Sequence, residues 1–242
     1  MFDVIDRLVP DTGYWLDAGI PYGVGARRKL DVYRPATALK SGTPIIFLYG
    51  GSWRKGNRRS YRFICQMLTS RGYLVIIPDY RLYPEVTFPG FVEDAAASIG
   101  WVRREIATRG GDPSRIVVAG HSAGAHSAAL LALDRTYLEK AGVPHGAIAG
   151  WVGLAGPHAF DPSRFSNTRP IFATAHPPAA ARPISFAHAG APPALLIHGE
   201  QDLTVSIRNS EELAKRLRDV GNQVRYVPVA DTGHGGLLLG LA

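Results

Sequence analysis

Cysteine is all but missing: Cys65 is the single one in 242 residues. It has no partner for an intrachain disulfide and excludes a multi-cysteine zinc site. Long apolar runs are missing too. No stretch reaches the about 18 uninterrupted apolar residues that a membrane-spanning helix requires, and residues 1–10 carry Asp3, Asp6 and Arg7 where a secretory signal would be apolar. Acidic side chains are the scarcer sign, 20 against 27 basic ones, for a formal charge of +7. That excess raises the question of a nucleic-acid partner. The group Arg54, Lys55, Arg58, Arg59 and Arg62 opens a helix-like segment, however, and reads as a solvated face, with no zinc finger, RNA-recognition signature or basic heptad beside it. HExxH-type metal spacing is absent among the eight histidines. These absences predict a soluble, cytoplasmic, globular protein without nucleic acid, membrane span, metal or organic cofactor. They leave the oligomeric state open, a homodimer among the options.

What is present is a core and a rhythm. Hydrophobic residues make up 46% of the chain, enough to fill a sizeable interior. Strand-length apolar runs recur at 44–49, 73–77, 115–119, 148–154, 194–197 and 223–227. Most are apolar on consecutive positions, as a strand covered on both faces in a parallel sheet must be. Helical spacing fills the gaps. Val92, Ala95, Ile99, Val102 and Ile106 form one stripe stopped by Gly110-Gly111; Tyr61, Ile64, Cys65 and Leu68 form another stopped by Gly72; Leu213, Leu217 and Val220 form a third stopped by Gly221. The alternation predicts a single α/β domain over 1–242, an open and mostly parallel sheet with helices on both faces. Residues 156–193 break the rhythm: they hold eight of the 18 prolines and scattered Phe160, Phe165, Phe172 and Phe186. A long irregular stretch inside a compact domain is commonly a cap or a pocket loop, and that is the expectation here.

The chemistry-bearing signal is Gly120-His121-Ser122-Ala123-Gly124, set between the 116–119 strand and the helix-like run 125–133. A sharp strand-to-helix turn brings the positions two before and two after the serine together, where only glycine avoids a clash, and leaves the hydroxyl exposed as a nucleophile. Such a serine needs a base, and the base an orienting acid, following it in the order acid then histidine. Asp202 lies in the loop after the 194–197 strand, at the sheet edge where Ser122 sits, and His234 alone among the histidines follows the last strand. Glu200 and Asp231 are the rival acids; Asp231 is too near His234 in sequence for an easy side-chain bond. Of the other histidines, His121 and His126 flank the nucleophile as packing or pocket lining, His198 ends a strand, and His145, His158, His176 and His188 fall in loops. Upstream, Tyr49-Gly50-Gly51-Ser52-Trp53 follows the first apolar strand. Its glycines let backbone N–H groups turn toward a carbonyl oxygen as it becomes negative, so Gly51 and Ser52, joined by Ala123, are the candidate oxyanion donors. Trp53 and His121 are the candidate substrate-pocket residues.

Together these segments resemble an α/β-hydrolase of the carboxylesterase and hormone-sensitive-lipase-like group, nearest the small bacterial esterases and kynurenine-formamidase-like enzymes. The resemblance runs from about Asp31 to His234 and includes Asp79-Tyr80-Arg81-Leu82-Tyr83-Pro84-Glu85, Gly111-Asp112-Pro113-Ser114-Arg115 and His198-Gly199 ahead of Asp202. It implies that Ser122 attacks, His234 transfers protons, Asp202 orients the imidazole, and the N–H groups of Gly51, Ser52 and Ala123 hold the oxyanion. It implies a structural role for the Asp79–Glu85 segment. Two positions depart from the family: Tyr49 stands where a histidine is usual, with its hydroxyl as the expected brace of the loop, and Ser52 where a third glycine is frequent. The expected activity is hydrolysis of small carboxylic esters through an acyl-enzyme. The alternatives are hydrolysis of an aryl formamide such as N-formylkynurenine, and a non-catalytic protein of the same fold.

Overall fold

The computed structural model describes residues 12–39, 41–144 and 146–240; the readings of residues 1–10 and of His145 lie outside them. Six of the strands are those that the apolar runs predict: β3 (Pro44–Leu48), β4 (Leu74–Pro78), β5 (Ile116–His121), β6 (Ile148–Leu154), β7 (Ala194–Gly199) and β8 (Val224–Val229). They pair in parallel, and β4 is buried at every position, which is why its sequence shows no alternation. Two further strands precede them, β1 (Tyr14–Pro21) and β2 (Lys29–Pro35); β2 pairs antiparallel with β1 on one side and with β4 on the other. The eight strands form one sheet in the order β1-β2-β4-β3-β5-β6-β7-β8.

Helices α1 (Arg62–Ser70), α2 (Gly90–Glu105), α3 (Ala123–Leu133), α4 (Arg135–Lys140) and α5 (Arg208–Asp219) lie between the strands, and α6 (Gly236–Leu239) follows β8. The stripe Val92, Ala95, Ile99, Val102, Ile106 is fully buried, and Gly110 ends the following turn in the left-handed conformation at φ 83°. Both faces of the sheet are covered. Ala194 and Leu196 of β7 share one core cluster with Leu213, Ala214 and Leu217 of α5, while Ile197, one step on in the pleat, packs against the other, larger cluster. Helix α3 starts where β5 ends and is buried along its whole length.

The basic residues are less solvated than their spacing suggests. Arg58 is buried, its guanidinium bonded to Asp31 (2.7 Å) and Asp79. Arg28 and Arg81 both bind the fully buried Asp94, and Arg27 donates to the carbonyls of Tyr80 and Gly56. The reading of 54–62 as one solvated face is therefore corrected: a buried charge persists where it is paired. Residues 156–193 cross from β6 to β7 with only short 3-10 turns at Pro162–Arg164, Pro178–Ala181 and Pro183–Phe186.

Candidate active site

Ser122 occupies the single residue between β5 and α3, at φ 54°, ψ −119°. A side chain other than hydrogen at the neighbouring turns is impossible without rearrangement. A Cβ on Gly120 would stand 2.3 Å from the Gly124 carbonyl oxygen, and one on Gly124 would stand 2.0 Å from that of Leu48. The Ser122 amide donates to the Leu154 carbonyl at 2.9 Å, fixing the turn to β6. The hydroxyl thus faces the carboxyl edge of the sheet from a strained backbone that its surroundings over-determine.

The acid and base loops converge on it from β7 and β8, and they are laced together. Glu200 N–H donates to Val229 and Gln201 N–H to Thr232, at 2.9 and 3.0 Å. A Cβ on Gly199 would stand 2.1 Å from the Thr232 carbonyl oxygen, so the two loops touch backbone to backbone. His234 Nδ1 lies 2.7 Å from Asp202 Oδ2 and its Nε2 lies 2.9 Å from Ser122 Oγ. Because a carboxylate only accepts, Nδ1 carries the proton and Nε2 is left to accept from the serine hydroxyl. Neither rival acid reaches the imidazole: Asp231 accepts from the Gln201 side-chain Nε2 at 3.0 Å, and Glu200 is exposed.

Asp202 is held as an anion. Burial opposes its charge, but bonds from His198, His234 and the Val205 amide outweigh this and hold its carboxyl well below the usual range. Its other oxygen accepts from the amides of Thr204 (2.8 Å) and Val205 (2.9 Å). His198, which the sequence places at a strand end and the resemblance places ahead of the acid, reaches that acid directly. Its Nε2–H is shared between Asp202 Oδ2 (3.1 Å) and the Val205 carbonyl (2.9 Å), while Nδ1 accepts from Ser210 Oγ at 2.7 Å. The signal was its place four residues ahead of the acid.

Gly51, Ser52, Trp53 and Ser122 line one cavity of about 720 Å³, with Pro157, Phe160, Phe165 and Ile171 of the irregular segment as its far wall. Gly51 and Ser52 adopt φ 135° and 54°, and the N–H groups of Gly51, Ser52 and Ala123 donate to no acceptor among the described residues. Trp53 stacks on Phe160 at 6.1 Å and meets Phe172 edge-on at 4.9 Å. Tyr49 braces this loop as expected: its hydroxyl donates to Asp79 Oδ1 (3.0 Å) and accepts from Arg27 Nη2 (2.9 Å). Asp79 also accepts from the Arg58 amide at 2.7 Å, so the Asp79–Glu85 segment holds the loop from below.

His121 is not a pocket residue. Its ring is 3% exposed, does not line the cavity, lies 4.8 Å from the His234 ring and donates through Nε2 to the His234 carbonyl at 3.1 Å. Burial and the neighbouring His234 push it down to about 3, so it stays neutral beside the base and adds no charge there. Among the described residues no group of histidines, cysteines and carboxylates is arranged to hold a metal, and no helix is long and apolar enough to cross a membrane.

The family model described as BD-FAE matches residues 30–160. Esterase LipQ of Mycobacterium tuberculosis (strain ATCC 25618 / H37Rv) is 31% identical over 241 residues, an alignment covering 89% of this chain and 56% of LipQ. The chain spans 56–59% of the length of the curated relatives LipQ, LipC and LipM. Among solved structures, the thermophilic esterase Est2 of Thermogutta terrifontis superposes with a TM-score of 0.76 at 27% identity, covering 95% of this chain and 86% of Est2. The same esterase phosphoramylated by tabun superposes at 0.75 and 26% identity, over 94% and 87%.

Proposed function

Since the chain belongs to the BD-FAE family, with the α/β-hydrolase fold, we propose that it is a serine esterase that hydrolyses small carboxylic esters through an acyl-enzyme. The observation that carries this reading is the unbroken relay from Ser122 Oγ to His234 to Asp202, at 2.9 and 2.7 Å. As the Ser122 oxygen attacks the ester carbonyl, its proton passes to His234 Nε2. The carbonyl oxygen becomes negative and takes the N–H groups of Gly51, Ser52 and Ala123, each such donor contributing about 3–4 kcal/mol to the transition state. The imidazolium, paired with Asp202, then protonates the departing alcohol oxygen. In the second half a water gives its proton to Nε2 and its oxygen to the acyl carbon, and His234 returns the proton to Ser122 as the acid leaves. His198 shares the load on Asp202 and keeps the carboxylate oriented. Trp53 and the aromatic wall opposite it form the pocket for the acyl or alcohol group. The setting is the cytoplasm, on the composition argument from the single cysteine, Cys65, which is buried.

The test is a fluorophosphonate probe together with p-nitrophenyl butyrate. Wild-type protein takes up one probe per chain and releases nitrophenolate; Ser122→Ala does neither while keeping its circular dichroism. A folded wild type that is not labelled and turns over no ester overturns the reading.

A further inference from the structure

We infer that the cavity beside Ser122 selects esters that carry an anionic group, with Lys55 and Arg54 supplying the counter-charge; this rests on the esterase reading above. Among the described residues that line the cavity, these two are the charged ones, and no aspartate or glutamate joins them. Asp202, beside the cavity-lining Leu203, is withdrawn: its side chain is fully buried and its oxygens are spent on His234, His198, Thr204 and Val205. The remaining lining is apolar or neutral, with Trp53, Phe160, Ile171 and Val205 beside Thr168, Ser206 and Asn209.

The two cations differ from the arginines that pair with carboxylates in the core. Arg28, Arg58 and Arg81 each bind a buried carboxylate. Arg54 instead donates from Nη2 to the Asn167 carbonyl at 3.0 Å, and its guanidinium carbon stands 4.4 Å over the Tyr83 ring. It is thus held between the loop and the irregular segment, while most of its five N–H donors stay free for a ligand. Lys55 is anchored to the oxyanion loop itself. Its amide donates to the Gly51 carbonyl at 3.1 Å, and its Cγ lies 3.4 Å from where a Cβ on Gly51 would be. Its ammonium has no acidic partner among the described residues. Both are exposed to solvent, and two adjacent cations with no acid between them repel each other, most strongly at low ionic strength. A neutral ester leaves that repulsion in place. An ester with a carboxylate on its acyl or alcohol arm relieves it, and is also drawn toward the cleft of a protein carrying +7 overall.

The experiment compares matched esters. On the acyl side, mono-p-nitrophenyl adipate is set against p-nitrophenyl hexanoate; on the alcohol side, 3-carboxy-4-nitrophenyl hexanoate against the same neutral ester. At low ionic strength one charged ester is expected to exceed its neutral partner in kcat/KM by about tenfold. The advantage shrinks toward one in about 0.5 M NaCl, collapses in the Arg54→Met/Lys55→Met double variant, survives Lys55→Arg and inverts in Lys55→Glu. Fluorophosphonate labelling verifies that each variant keeps a competent Ser122. Charged-to-neutral ratios near one on both arms, or a ratio that Lys55→Glu does not move, overturn the selection and leave the esterase reading standing. Failure of every ester together with failure of Ser122 labelling removes the esterase reading, and this inference with it.

Discussion

Asp202 accepts from His234, His198, Thr204 and Val205, and this crowding decides what its replacement does. In Asp202→Asn the amide turns the His234 proton preference around, so Nε2 no longer accepts from Ser122. We expect kcat for p-nitrophenyl butyrate to fall by about 10⁴-fold, with fluorophosphonate labelling slowed in parallel; a loss under tenfold would mean that another group orients the base. Arg58 tests a different dependence. Its guanidinium bridges Asp31 and Asp79, all three nearly buried. Arg58→Met leaves two buried carboxylates without their cation and is expected to cost about 3–5 kcal/mol in urea unfolding. Adding Asp31→Asn and Asp79→Asn to it should recover part of that loss, and no recovery would point to lost packing instead. Ser122, Asp202 and His234 were legible in the sequence because chain order and strand ends restrict where a triad can be. His198 and Arg58 were not, because their partners lie across the fold or in a side-chain direction that spacing does not reveal.

The turn between β5 and α3 is the element on which the site depends, and its glycines have no substitute. In Gly124→Ala the new methyl meets the Leu48 carbonyl oxygen at 2.0 Å and the Tyr49 carbonyl oxygen at 2.5 Å, both backbone. The expected result is a loss above about 4 kcal/mol or no soluble protein, read by thermal melting; a variant that melts like wild type would show that the helix start can move. Strands β3 to β7 could be read from sequence since burial in the sheet leaves runs of apolar residues, and β8, at the edge with no buried position, through Val224, Tyr226 and Val227. The pair β1 and β2 could not. β1 is an edge strand with no buried position and an irregular register between Asp17 and Ile20, where Gly19 donates its amide to Asp31. β2 carries that buried Asp31 in the middle of its run. Short α4 escaped detection too, because only Tyr137 of its six residues is buried.

Over the molecule as a whole, the interior stores uncharged imidazoles. Burial pushes His121 down to about 3 and His126 to about 4, and places His158 well below its usual range. The unfolded chain protonates these rings near pH 6.5, so between there and the folded values the unfolded state binds more protons and stability falls as pH falls. Each ring contributes a slope of about 1.4 kcal/mol per pH unit. Asp202 and Asp94 are also shifted downward, but for a carboxylate this stabilises the folded charged form, so their contribution is intact above the ordinary carboxylate range and is lost only as the solution becomes more acidic than that. Urea midpoints should therefore be level above about pH 7 and drop steeply between about pH 6 and 4.5, with His126→Gln reducing the slope; a midpoint independent of pH there would contradict neutral burial. One further property follows from the way the cavity is walled. The groups proposed to make and break bonds sit in loops just past strand ends and are fastened by a lattice of hydrogen bonds, whereas Phe160, Phe165 and Ile171 hang on a proline-rich span with no strand to keep in register. Descent can rewrite the second without disturbing the first, so new diets come cheaply to this scaffold while its reaction stays put.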